Sequence, residues 1–320
     1  MNEIKENGRE CTPLIIYPPT KSIFVRRILI DAISLISLSI PIIYLYLWGI
    51  PFHRGFNCDD DSIRYPYRDN TISSTALYLY STTIPFVVIA INEYFIIRSR
   101  ILNIERYEEM PKLIIVYIWQ IYCHFVWFAF AALTSQVITD ISKYSIGRLR
   151  PHFLDRCKPM LSDGTIINRT SKCSDPYTYI INYECSGTAT MKEMRDSHLS
   201  FMSGHSSFVA VCLIYLVIYI QTRVRWSQLG LLKSLLQGLL VSLVIYTGLS
   251  RISDYKHHWS DVLCGLIQGT IVAFLVAMGV SELFEPKTYF DCMKKRVNID
   301  ISNRDNGRND NARHDPEIGL

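Results

Sequence analysis

The chain predicts an all-α, polytopic membrane protein, and three observations carry that reading. Hydrophobic residues make up 49% of its 320 positions and charged residues only 19%, against about a quarter charged in a soluble domain. The apolar residues gather into six runs, most near the ~20 residues that a helix needs to cross a bilayer core. Basic residues cluster at alternate run ends, which is how membrane topology is encoded. Mean hydropathy is +0.15. With 33 basic and 29 acidic side chains the net charge is +4. No dense basic stripe accompanies that small excess, so strong nucleic-acid binding is excluded.

The spans are expected at about 28–50, 76–97, 113–139, 206–220, 229–249 and 262–280. The first follows Arg26–Arg27 and contains Asp31 and Pro41; it starts too far into the chain and is too long for a cleaved signal. The second carries Pro85, Asn92 and Glu93, and the third is rich in aromatics. The fourth is short unless Gly204 and His205 stand at its mouth, and the fifth, with Lys233 and Gln237, is the weakest by hydropathy. The sixth is uninterrupted. This divides the chain into an N-terminal arm (1–26), a six-span membrane domain (27–284) and a tail (285–320) of mixed charge with no apolar period, read as disordered.

Lys and Arg near the span ends set the orientation. The arm, the loop with Arg98, Arg100, Arg106 and Lys112, the turn with Arg223 and Arg225, and the tail all fall on one side, which is cytoplasmic. Both termini are then cytoplasmic. Three outer loops remain, at about 51–75, 140–205 and 250–261. The longest contains the glycosylation sequon Asn168-Arg169-Thr170. Cys58, Cys157, Cys173 and Cys185 are all in outer loops, where three disulfide pairings are open to them.

Strongly polar groups collect at the outer ends of the spans. Lys143 to Pro151 follows span three, Ser203-Gly204-His205 precedes span four, and Ser250 to Asp261 joins spans five and six. Lys143, Arg150 and Arg251 can neutralise a phosphate dianion and its transition state. Ser203 and the Gly204 amide, at a helix start, can donate to a phosphate oxygen. Histidines can attack phosphorus or move protons near neutral pH, and an Asp four residues after a His can orient it. Such a set needs no metal. A transporter would instead carry its polar groups near mid-membrane.

These segments resemble the three signature motifs of the phosphatidic acid phosphatase type 2 superfamily. Lys143, Arg150 and Pro151 match K-x6-R-P; Ser203, Gly204 and His205 match P-S-G-H, with Met202 in place of proline; Ser250, Arg251, His257 and Asp261 match S-R-x5-H-x3-D. The wider strings, with Arg64-Tyr-Pro-Tyr67, resemble the animal lipid phosphate phosphatase branch that includes the Wunen proteins. Resemblance covers roughly 20–285.

The resemblance implies a membrane hydrolase acting on phosphatidate, lysophosphatidate, sphingosine 1-phosphate and ceramide 1-phosphate at the outer or lumenal leaflet, with no metal or other cofactor. The plasma membrane is the expected location, and a homo-oligomer is compatible with the family. His257 would be the nucleophile, oriented by Asp261, and His205 the general acid and base. Lys143, Arg150, Ser203, Gly204 and Arg251 would hold the phosphoryl oxygens. His258 is adjacent to His257, and the four-residue step to Asp261 favours His257.

Overall fold

The structure, a computed structural model, describes residues 5–6, 9–10, 21–101, 110–171, 178–224 and 230–279. The expected tail, most of the N-terminal arm and Cys173 lie outside the described residues. The helices are α1 (Lys21–Trp48), α2 (Ser74–Ile101), α3 (Met110–Ile146), α4 (Phe153–Arg156), α5 (Met191–Asp196), α6 (Gly204–Arg223), α7 (Leu231–Ser253) and α8 (Trp259–Gly279). Six of them, all but the short α4 and α5, are long and apolar enough to cross a membrane. The fold is therefore all-α, with six membrane helices among the described residues. In hydrocarbon a helix satisfies its backbone polar groups internally; Pro41 inside α1 and Pro85 inside α2 each remove one bond from that ladder.

Several helices run beyond the apolar stretch that marks them in the sequence. The 37 residues of α3 extend about 55 Å at 1.5 Å per residue, against roughly 30 Å of hydrocarbon. Its last turns therefore leave the apolar layer, and they carry Lys143. Gly147 ends the helix with φ +57° and its N–H on the Lys143 carbonyl at 3.1 Å. A Cβ there would meet the Phe52 carbonyl oxygen at 1.9 Å, so only glycine fits.

α6 is the central helix and packs against α2, α3, α7 and α8. Its contact with α8 is the tightest, because α8 presents Gly265 and Gly269 one turn apart. Added Cβ atoms would lie 2.7 Å from the Ser203 carbonyl oxygen and 2.3 Å from that of Ser207. Small residues let two membrane helices approach backbone to backbone, where dispersion replaces the missing hydrophobic drive. α1 lies outside this group and packs along α3.

The loops expected on the outer side fold into a small cap that the expectation of plain loops did not contain. Residues Phe56–Asn57 pair with Tyr179–Ile180, and Pro159–Leu161 with Tyr183–Cys185, both antiparallel. Phe56, Phe153 and Tyr183 stack edge-on at its centre. A disulfide joins Cys157 to Cys185, and Cys58 is disulfide-bonded as well.

At the opposite end, Glu93 of α2 is fully buried. Its carboxylate accepts from Arg223 at 3.0 Å and from the Tyr219 hydroxyl at 2.7 Å, and His124 Nε2 lies 3.2 Å away. The charge that interrupts the second apolar run is thus paired inside the bundle. Removing one partner of a buried pair strands the other. Glu93→Ala should lower stability in detergent by about 3 kcal/mol or more. Glu93→Leu combined with Arg223→Leu should recover most of that loss, measured by thermal unfolding of the purified protein.

Candidate active site

The C-terminal ends of α3 and α7 and the N-terminal ends of α6 and α8 meet at the cap. Between them lies a cavity of about 830 Å³. Of the phosphate-handling residues expected from sequence, Lys143, Arg150, Gly204, His205, Arg251 and His257 line it. Ser203 and Asp261 do not line it; both are fully buried behind that wall. Asn168 is exposed on the cap.

Each cation is held by its own partners. Arg150 follows the α3 terminus, and its backbone N–H bonds to Ser197 C=O at 2.9 Å while its guanidinium donates to Asp196 at 2.7 Å. Arg251, in the last turn of α7, is 1% exposed and donates to Asp254 at 2.9 Å, to Asn70 at 3.1 Å and to Ser250 at 3.1 Å. Asp254 in turn accepts from the backbone and hydroxyl of Thr71, at 2.8 and 2.6 Å, which ties the loop between α1 and α2 to the site. Lys143 Nζ would lie only 2.9 Å from a Cβ at Gly204. That glycine therefore lets the ammonium sit against the α6 N-terminus. Ser203 is the N-cap of α6, accepting from Ser206, and its own N–H donates to the Asp261 carbonyl at 3.1 Å.

His257 and His258 face different ways. His257 is buried in the cavity wall, and its Nδ1 hydrogen-bonds the Ser200 carbonyl at 2.7 Å. Since a carbonyl only accepts, Nδ1 carries the proton and Nε2 keeps its lone pair. His258 does not line the cavity; its Nδ1 lies 3.2 Å from Asp261 Oδ2.

Asp261 stands 3.9 Å from His257 Nδ1, an ion-pair separation rather than a hydrogen bond. The four-residue rule assumes both residues are helical, and α8 begins only at Trp259. Asp261 is instead the third residue of α8. It accepts the His258 backbone N–H at 3.1 Å, as an acidic residue there does in a capping box. It also accepts from the Ser200 hydroxyl at 2.6 Å and from Arg148 at 2.5 Å. Asp261 thus reaches His257 through Ser200, which contacts both.

Sequence reading missed Ser200 and Arg148. Arg148 stands among the unspecified positions of the first motif. Ser200 is 57 residues from His257, and no local pattern marks it. The cavity lining also includes His152, whose Nδ1 bonds Tyr255 C=O at 2.7 Å, and Lys256, which stands 3.5 Å over the Tyr67 ring.

The site is strongly electropositive. Burial, followed by the charges of Arg150 and Lys143, holds His257 well below the ordinary histidine range. Burial and Arg150 lower His152 to about 4. Burial, then Arg150, lowers Lys256 to about 8. Such a place binds anions and keeps a histidine neutral and nucleophilic.

Comparison with known proteins points the same way. The profile of the PAP2 superfamily matches residues 124–284. A protein of Drosophila melanogaster named putative phosphatidate phosphatase is 40% identical over 275 residues, 81% of this chain and 69% of that one. Phospholipid phosphatase 1 of Rattus norvegicus is 42% identical over 260 residues, 81% of this chain and 86% of its own. Phospholipid phosphatase 2 of Homo sapiens is 37% identical over 270 residues, covering 84% and 87%. No solved structure matches the chain.

The electrostatics give a test. A lowered pKa extends the neutral form of His257 to more acidic pH, so it should remain unprotonated at pH 6.5, where an ordinary histidine is half charged. Histidine-selective NMR in micelles, with His257 located by comparison with His257→Ala, should show no midpoint at or above 6.5. Arg150→Gln removes a nearby positive charge and should move the midpoint upward.

Proposed function

The chain belongs to the PAP2 superfamily, in its lipid phosphate phosphatase branch, and on that premise we propose that it cleaves lipid phosphate monoesters through a phosphohistidine at His257. One observation carries the mechanism: a neutral histidine in a wall of cations, its Nδ1 proton tied to Ser200 so that Nε2 keeps a free lone pair.

Lys143, Arg150 and Arg251 neutralise the phosphoryl oxygens, and backbone N–H groups at the start of α6 add a favourable dipole. The Nε2 lone pair of His257 bonds to phosphorus while the phosphorus–oxygen bond to the lipid breaks. His205, protonated at Nε2 by the proton that the lipid phosphate monoanion brings into the site, gives that proton to the leaving alkoxide. Its Nε2 has no hydrogen-bond partner among the described residues, which suits a group that waits for substrate. His205 then takes a proton from water as that water attacks phosphorus. The phosphorus–nitrogen bond breaks, and inorganic phosphate leaves. Asp261 and Arg148 hold Ser200 and the start of α8 in position. These steps use no metal, because three fixed cations supply the charge compensation.

The substrate class is phosphatidate, lysophosphatidate, sphingosine 1-phosphate and ceramide 1-phosphate, cleaved in phospholipid metabolism and lipid signalling. The curated relatives' names support the first of these most directly. We place the site on the extracellular or lumenal side of a plasma-membrane protein. The basic residues of the opposite side and the Cys157–Cys185 disulfide in the cap support this orientation. The arm 1–26 and the tail 285–320 then flank the 27–284 membrane domain in the cytoplasm, and Asn168 is available to a glycan.

Phosphate release from lysophosphatidate in mixed micelles tests the reading. Wild-type protein should be active with EDTA present. His257→Ala should lose about 10⁴-fold or more in kcat. Arg251→Lys should lose about 10²-fold in kcat/KM, because an ammonium cannot reproduce the fork that grips Asn70, Asp254 and substrate together. Undiminished activity of His257→Ala would remove the assigned nucleophile; loss of wild-type activity in EDTA would remove the metal-free mechanism.

A further inference from the structure

A cavity that serves a lipid must accommodate more than phosphate, and the wall of this one changes character along its length. α3 shows the change on one face. Lys143, Asp140 and Gln136 follow at helical spacing and give way to Leu133 and Ala132. Asp140 lies 4.0 Å from Lys143 Nζ and accepts from Gln136 Nε2 at 2.9 Å. From residue 143 to residue 132 is a distance of about 16 Å along the axis. The polarity of the wall thus falls from charged (Lys143, Asp140) to amide to hydrocarbon, as it does along a lipid phosphate.

Facing that stripe are Ile42, Ile43 and Leu47 of α1 and Tyr78 of α2. These two helices both wall the cavity, yet they are not packed together. α1 lies along α3, α2 lies against α3 and α6, and the described residues show no comparable contact between α1 and α2. Ile43 and Leu47 are 54% and 53% exposed within a helix that crosses the membrane, where the surrounding medium is lipid. The outer end of α1 is fastened: Arg195 of α5 donates to the Tyr46 carbonyl at 3.1 Å. The seam is therefore latched at the headgroup level and open to hydrocarbon below it.

We propose that the seam between α1 and α2 is the hydrocarbon-chain slot, through which a lipid phosphate slides in laterally from the bilayer. Its chain lies between Ile43 and Leu47 on one side and Leu133 on the other, its polar linkage stands beside Gln136 and Asp140, and its phosphate meets Lys143 and His257. This rests on the phosphatase reading above and adds a second, chain-reading part to the site.

Leu133→Trp narrows the slot from the α3 side, and Ile43→Trp does so from an exposed position that tolerates a large side chain. Ile118→Trp, on an exposed position of α3 away from the cavity, serves as control. Each is assayed on oleoyl and on hexanoyl lysophosphatidate and compared with wild type on the same substrate. Both slot variants should lose about tenfold or more in kcat/KM on the oleoyl substrate, the scale of one or two methylenes in a fitted pocket. On the hexanoyl substrate they should stay within about threefold, and the control should change neither. If Leu133→Trp does not fold, Ile43→Trp decides alone. Equal losses on the two chain lengths, or none on either, would overturn the slot while leaving the phosphatase reading intact. Wild-type protein that hydrolyses neither substrate would overturn both.

Discussion

The backbones of α6 and α8 approach so closely at Gly265 and Gly269 that no other side chain fits between them, and the chemistry depends on that approach. It joins the Ser203 N–H to the Asp261 carbonyl and so fixes the starts of the two helices against each other. His205 stands one residue into α6 and His257 two residues before α8. A bulkier residue at either glycine would push apart the two histidines that the proposed mechanism needs together. Helix-borne groups hold their geometry better than groups on free loops, and here four helix ends contribute to one cavity.

The cap completes what the bundle begins. Its segment at residues 148–150 runs beside residues 197–200, with Ser200 N–H on Arg148 C=O and Arg150 N–H on Ser197 C=O, each at 2.9 Å. One strip of backbone pairing thus delivers Arg150 to the cavity and the Ser200 carbonyl to His257. The disulfide at Cys157 closes the same unit.

Much of this was readable in the sequence, for identifiable reasons. Six runs of apolar residues mark membrane helices because lipid leaves the backbone no other partner. The positions of Lys143, Arg150, His205, Arg251 and His257 were readable because cations and histidines in three separate segments all fall at span ends on one side of the topology. What escaped depends on tertiary pairing. Ser200 looks like any loop serine until His257 is beside it. Asp261 appeared to be a direct partner of His257 because helical spacing was assumed where the chain has not yet become helical. The short strands of the cap, two or three residues each, are too brief to leave a period. Glu93 is unremarkable in its run, and Arg223, 130 residues away, explains it.

The claim on which the account turns is a covalent bond between phosphorus and one nitrogen. Lysophosphatidate labelled in its phosphate, mixed with the protein and quenched in alkali within the first turnover, tests it directly. The account predicts an acid-labile, base-stable label on the peptide containing His257, assigned to that residue by fragmentation and lost in His257→Ala. Label on His258, or none on protein that is releasing phosphate, would contradict it.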